Sequence, residues 1–285
     1  MGGVAHVAFV ARGPASLEST LLAVADLRLA SNERHCTLHV HLLLGDEPMR
    51  ALRRAPLASL LRTAGLPNDF PLTIINASDA ALAERLGHEG RLWLQLPALR
   101  RTKAHLFTAP KLFLFQLLGP SVEQAIVLDA DILALDNICR LYEEASALFR
   151  THSAAVVAYA HEQTGHYMDY RGIYTGSSLL PFDDWSLGFN GGVGALHLRR
   201  LRATAPPSRF HAMLAEVRQL IAAESRRRID AADSLATHLG DQTALTLIGA
   251  RFQPEVRALI QPLPCEWNWQ TAIAWYLRTM HGKFR

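Results

Sequence analysis

The sequence predicts an α/β fold in which a mostly parallel central sheet is covered by helices on both faces. Three observations carry this prediction. Short apolar runs alternate with helical patterns through the first half of the chain, as parallel strands joined by crossover helices require. Turn residues punctuate the alternation, with Gly13-Pro14 after the first run and Gly45-Asp46 after the second. Length and composition suit one sizeable core, at 285 residues with 49% hydrophobic and 19% charged.

The elements follow in chain order. Val4–Val10 is the first strand, followed by a helical pattern over Leu17–Leu29. Leu38–Leu44 is a second apolar run. A helical pattern covers Met49–Ala64, and Pro71–Asn76 reads as a third strand. Pro110–Leu118 reads as a helix with proline in its first turn. Gln124–Asp129 is the fourth and most apolar strand. The second half is less regular. Val156–Tyr159 and Gly192–His197 look like strands separated by a long polar stretch, and Arg199–Ser225 is helical. A boundary near residue 136 divides the chain into two halves, 1–136 and 137–285, within a single domain over 1–285 and one continuous sheet.

Composition excludes some classes. A net charge of +3 offers no electrostatic case for nucleic acid. No run approaches the ~18 apolar residues of a membrane span. Cys36, Cys139 and Cys265 show no CxxC spacing and allow at most one disulfide. The chain runs directly into the strand-like His6–Val10 without a leader pattern. The expectation is therefore a cytoplasmic protein, or one whose targeting segment lies outside this sequence. Of 29 basic residues only Lys103, Lys111 and Lys283 are lysine. Against so much arginine, each lysine is mildly informative.

Five local signals could carry chemistry. In Ile126-Val127-Leu128-Asp129-Ala130-Asp131, two carboxylates stand one residue apart at the end of a buried strand. Such a pair repels itself, and a hard divalent cation offsets the repulsion while keeping open positions for phosphate. The carboxyl end of a parallel strand is also where open α/β sheets bind ligands. A strand-to-turn junction with two solvated aspartates accounts for the same residues. In Gly188-Phe189-Asn190-Gly191-Gly192-Val193, a polar side chain precedes two glycines at the mouth of a strand, which permits close approach of a ligand or only a tight turn. Leu239-Gly240-Asp241-Gln242 opens a helical run over Thr243–Ile248, where Asp241 could serve only as a cap. Pro264-Cys265-Glu266-Trp267-Asn268-Trp269 is an aromatic cluster suited equally to sugar stacking and to a core. His281-Gly282-Lys283 closes the chain. His35, His39 and His41 read as structural, and Arg226-Arg227-Arg228 as a solvated helix face. Neither GxSxG, a P-loop, HExxH nor a CxxC pair is present.

In this order and spacing the five signals resemble glycosyltransferase family 8, in particular its LARGE-type and glucoside xylosyltransferase branches, over roughly Val4 to Lys283. The resemblance implies a GT-A fold, a Rossmann-like nucleotide-diphospho-sugar transferase architecture. It implies retaining transfer of xylose, glucose or a similar sugar from a UDP-sugar to a hydroxyl of a glycan or glycoside acceptor, with Mn²⁺ or Mg²⁺. By the resemblance Phe9, Ala11 and Arg12 line the uridine pocket, with Arg12 standing where the family usually has a smaller polar residue. Asp129 and Asp131 hold the cation, Asp129 also lies near the ribose, and His281 completes the metal shell. Lys111 braces the carboxylates or the nucleotide. Ala130, Gly191 and Gly192 lie against the donor. Asn190 and Asp241 hold donor-sugar hydroxyls, joined by Asp183 or Asp184, and Gln242 stands near the anomeric carbon. The family usually carries a further, diphosphate-binding lysine on a loop after the His-Gly pair, and by the resemblance either Lys283 takes its place or that loop is missing from this sequence. The resemblance also implies the Golgi or ER lumen if a targeting segment lies elsewhere. Two other readings stand beside it: a non-catalytic nucleotide-sugar-binding relative, and a carbohydrate-binding protein that uses Trp267 and Trp269.

Overall fold

The computed structural model describes residues 3–12, 14–31, 36–101, 105–161, 189–203, 209–227, 240–252 and 255–268. Its centre is a seven-stranded sheet in the order β3-β2-β1-β4-β6-β5-β7. The strands are β1 Val4–Ala11, β2 Thr37–Leu44, β3 Leu72–Asn76, β4 Ala125–Leu128, β5 Val157–His161, β6 Phe189–Leu196 and β7 Ile260–Leu263. Strands β1 to β4 are parallel, with Phe9 opposite both Leu42 and Leu128. Strand β6 runs antiparallel to both β4 and β5, and β7 is parallel to β5. The chain steps outward from β1 to β2 and β3, then crosses back to β4 on the other side. The carboxyl ends of β1 and β4 therefore flank the switch point where ligands bind in such sheets.

Two apolar layers cover the sheet, because the strands bury alternate residues on both faces. One holds Val7, Phe9, Leu42 and Phe149 with Leu17, Leu21 and Val24 of α1 (Pro14–Ala30). The other holds Ala8, Val10, Leu43, Tyr159 and Trp93 with helices α4 (Asp79–Arg85), α5 (His88–Leu94), α6 (Pro97–Arg101), α7 (His105–Leu112) and α8 (Leu114–Leu117). The predicted α/β class and two-sided helical cover match this architecture.

Several elements differ from the sequence reading. The helix expected over Met49–Ala64 is two helices, α2 (Asp46–Arg54) and α3 (Leu57–Thr63). Pro56 drives Ala55 to extended angles, φ −125° and ψ 127°, so the first helix stops there. The helix expected over Pro110–Leu118 begins earlier, at His105, so Pro110 lies inside α7 rather than in its first turn. A break at Phe113 then starts α8. The pattern over Arg199–Ser225 resolves into α10 (Leu198–Arg202) and α11 (Arg209–Arg227), with Pro206-Pro207 in the interval between them. Helix α9 (Ile138–Thr151), the short helices between β3 and α7, and strand β7 escaped the sequence reading. Two of these helices do start on capping residues, Ser78 before α4 and Asn137 before α9, so those starts were legible in the sequence.

Segment 129–137 leaves the top of β4 and is pinned along the flank of the molecule. The Ala134 amide donates to Asp26 of α1 at 2.5 Å, Asn137 caps α9, and Cys139 in the first turn of α9 is disulfide-bonded to Cys36 before β2. The sequence left the cysteine pairing open. The fold decides it by bringing residues 103 positions apart together.

Candidate active site

Four separate pieces of chain converge at the switch point. Asp129 follows β4, and its amide donates to the carbonyl of Gly192 in β6 at 2.9 Å. Helix α7 brings Lys111 in from below the sheet, and α12 (Asp241–Arg251) brings Asp241 and Gln242. Gly240 precedes α12 with φ +53° and ψ −110°, a conformation that a residue with a side chain adopts only at a cost. That turn sets Asp241 at the helix start with its carboxylate directed into the protein.

Lys111 ties these pieces together. Its Nζ donates to Asp129 Oδ1 at 2.5 Å, to the Gly191 carbonyl at 3.2 Å and to Asp241 Oδ2 at 3.3 Å. The ammonium is buried, as is Asp241, while the Asp129 side chain keeps 40% of its surface exposed. Burial works against the lysine charge, but Asp241 and then Asp129 outweigh it, so the ammonium is held well above its ordinary range. Burial raises the Asp241 carboxyl, and Lys111 opposes that rise.

The backbone of β6 fits this cluster closely. A Cβ on Gly191 would stand 2.7 Å from Asp241 Oδ2, so a side chain there would displace the carboxylate. The Gly191 amide donates to Gln242 Oε1 at 3.4 Å, and the Gly192 amide to Asn190 Oδ1 at 2.7 Å. Asn190, Gly191, Gly192, Asp241, Gln242, Asp129 and Lys111, proposed separately from sequence, thus share one site. Ala130 and Asp131 form the turn beyond Asp129, with Asp131 exposed.

The remaining candidates are placed differently. Phe9 is fully buried in the core, and Ala11 ends β1 with its carbonyl accepting from the Gly45 amide at 2.8 Å. Arg12 turns away from the Asp129 side. Its Nη2 donates to Asp79 Oδ1 at 2.6 Å, and its stem lies against Gly45, where a Cβ would meet Nε at 2.9 Å. Burial lowers its basicity and Asp79 restores part of it. Trp267 packs on α9, where its Nε1 donates to Glu144 at 2.6 Å and the Arg140 guanidinium lies 5.4 Å above its ring. Its polar edge and one ring face are thus engaged within the protein, which weighs against the sugar-stacking reading. His281, Lys283, Asp183, Asp184 and Trp269 lie outside the described residues.

A divalent cation fits what is present at Asp129 and Asp131. One oxygen of Asp129 is committed to Lys111 and the rest of the pair faces solvent, which suits a hard ion that completes its shell with phosphate oxygens and water. Among the described residues no group of three or more acids, histidines or cysteines could enclose a metal by itself.

Tyr159 was missed by sequence reasoning. It is buried in β5 beside the cluster, and its ring occupies the space that a Cβ on Gly194 of β6 would need. The signal was available: a glycine inside a strand often marks the close approach of another group.

The strand order and the layers around it are those of the GT-A fold. Neither a protein-family model nor a curated protein matches the sequence. Among solved structures, mouse xyloside xylosyltransferase 1 in its apo form aligns with a TM-score of 0.60 at 22% identity, over 92% of this chain and 85% of that one. The galactosyltransferase LgtC, in complex with donor and acceptor sugar analogues, aligns with a TM-score of 0.56 at 15% identity, over 91% of this chain and 73% of that one. The bifunctional glycosyltransferase WbbM aligns with a TM-score of 0.53 at 12% identity, over 92% of this chain and 39% of its own.

Proposed function

We propose that the protein is a retaining glycosyltransferase of the family 8 type, moving a sugar such as xylose or glucose from a UDP-sugar to a hydroxyl of a glycan or glycoside, with Mn²⁺ or Mg²⁺. The observation that carries this reading is the three-way contact of Lys111 with Asp129, Gly191 and Asp241. A structural lysine needs one carboxylate. This one joins the turn after β4 that bears the Asp129–Asp131 pair to the strand β6 and the helix α12 that bear Asn190 and Gln242.

In this reading Asp129 and Asp131 hold the cation, with His281 as the further ligand. When bound, the cation neutralises charge developing on the departing diphosphate. Lys111 fixes the Asp129 carboxylate and adds a positive charge near the same phosphates. Asn190 and Asp241 orient the sugar hydroxyls. Gln242, tethered to the Gly191 amide, presents its amide toward the anomeric carbon, where positive charge builds in the transition state. No carboxylate among the described site residues is left over as a dedicated base, which suits front-face attack with the leaving phosphate oxygen taking the acceptor proton.

A thermal-shift titration with UDP tests the reading, with and without Mn²⁺, followed by a hydrolysis screen over UDP-sugars. The expected result is stabilisation by UDP that depends on the cation, and turnover with one or two donors. Indifference to UDP in the presence of Mn²⁺ refutes it.

A further inference from the structure

We infer, resting on the reading above, that an apolar track leads from the Asp131 turn down the flank of the molecule and receives the aglycone of the acceptor, so that the acceptor is a glycoside carrying an alkyl chain. Six large apolar side chains are exposed among the described residues: Val4, Leu22, Leu29, Phe107, Leu133 and Leu135. Four of them share one surface. Leu22 and Leu29 are 57% and 81% exposed and stand two turns apart on the outer side of α1, with Asp26 between them. Asp26 accepts from the Ala134 amide, which lays segment 129–137 against this side of the helix. Leu133 and Leu135, on either side of Ala134, are 69% and 77% exposed. The two leucine pairs therefore border one hydrogen bond.

The segment also sets where the track begins. Ile132 and Ala134 pack against the core beneath α1, whereas Asp131, Leu133 and Leu135 are exposed. This is the period-two alternation of an extended chain, which puts the three exposed side chains on one side. At about 3.3 Å per residue, Leu133 lies about 7 Å and Leu135 about 13 Å from Asp131 along the segment. A sugar held beside a cation at Asp131 thus has both leucines within reach of a chain on its reducing end.

Area, charge and position select the occupant. Four leucines offer roughly 300 Å² of apolar surface, whereas a stable dimer buries about 800 Å² a side. The charged residues of α1 and of segment 129–137 are Glu18, Asp26, Asp129, Asp131 and Asp136 against Arg28 alone, which repels an anionic bilayer. A protein docked here permanently would also stand across the approach to Asp131. A transient ligand with a neutral apolar tail meets all three conditions, and the tail gains affinity with each methylene it buries.

Methyl NMR of leucine-labelled protein tests this with n-octyl β-D-glucopyranoside, kept below its micelle concentration, against methyl β-D-glucopyranoside. The octyl compound should shift the methyls of Leu22, Leu29, Leu133 and Leu135 saturably, and the methyl compound should leave them in place. Leu133→Ser combined with Leu135→Ser should weaken octyl glucoside binding about tenfold, with Tm and the affinity for UDP with Mn²⁺ at wild-type values. In turnover, KM for an octyl glycoside should lie about tenfold below that for the methyl glycoside of the same sugar, and the double variant should erase the difference. Octyl glucoside that leaves the four leucines unmoved, or that moves leucines across the whole surface, overturns the proposal. So does a dimer in solution, or co-sedimentation with phosphatidylcholine vesicles, that the double variant abolishes, because the patch then belongs to a second copy or to a membrane. If UDP with Mn²⁺ leaves the wild-type protein unchanged, the glycosyltransferase reading fails, and the octyl glucoside shifts still decide whether the track binds an apolar chain.

Discussion

At the scale of single residues, charge decides most outcomes. Asp131 is exposed and makes no ion pair among the described residues, so the fold does not depend on it. Asp131→Ala should abolish cation-dependent stabilisation by UDP and leave the Tm of the apo protein within a degree or two. A titration that still shows the Mn²⁺ effect ends the case for a metal at this pair. Lys111 is the opposite case. Its removal strands the Asp241 carboxylate in a buried setting, and breaking such a pair from one side costs about 3–5 kcal/mol. Lys111→Met should therefore lower stability in chemical denaturation as well as abolish turnover. A variant that keeps wild-type stability would mean that Asp241 has another partner. The sequence made Lys111 conspicuous by the rarity of lysine, but its three contacts come from residues 18, 80 and 130 positions away, beyond the reach of any local pattern.

At the scale of elements, the flank that carries the Asp129–Asp131 turn toward α9 is tied down at several points. The disulfide between Cys36 and Cys139 is the strongest tie, because it closes a long stretch of chain and so restricts the unfolded ensemble. Cys139→Ser should lower stability by about 2–4 kcal/mol, with wild-type protein in reductant showing the same loss. UDP binding should survive, since Cys36 precedes β2 at the end of the sheet opposite Asp129. Wild-type stability that does not respond to reductant would show that the bond does not form. Element boundaries were legible wherever proline or glycine acted locally, as at Gly45. They were misread where proline falls within a continuous helical pattern, as at Pro56 and Pro206-Pro207. Periodicity reports which face is apolar and is blind to a break that preserves the face.

At the scale of the whole molecule, buried histidines set the response to acid. His6 and His41 meet at 3.0 Å between β1 and β2, and His39 stacks on His41 at 4.7 Å. Burial, then His39 and His6, depress His41 to about 4. His197 is likewise depressed to about 4 by burial and then by Arg200 and Arg199, with Glu123 acting against them. A folded-state value below the unfolded one, about 6.5, means that the folded protein binds fewer protons. The stability contributed by each neutral imidazole is complete above about pH 6.5 and drains away as pH falls toward 4. Each site contributes up to about 3 kcal/mol by this linkage. Tm should therefore fall steeply between pH 6.5 and 4, and His41→Leu should flatten that slope. An equal slope in the variant would place the acid sensitivity elsewhere.

The sequence by itself determined the α/β class, the four parallel strands and the identity of the Asp129, Asn190 and Asp241 motifs. Each depends on neighbours within a few residues: alternation for strands, turn residues at their ends, and two carboxylates one residue apart at the end of a buried strand. Only the tertiary structure decided that Lys111 would join three of these motifs, that Cys36 would pair with Cys139, that Trp267 would pack on α9, and that β6 would run against its neighbours. It also placed Tyr159 across Gly194. These outcomes depend on which distant segments the sheet order brings together, and that order is set by the sum of many weak burial terms rather than by any one stretch of residues.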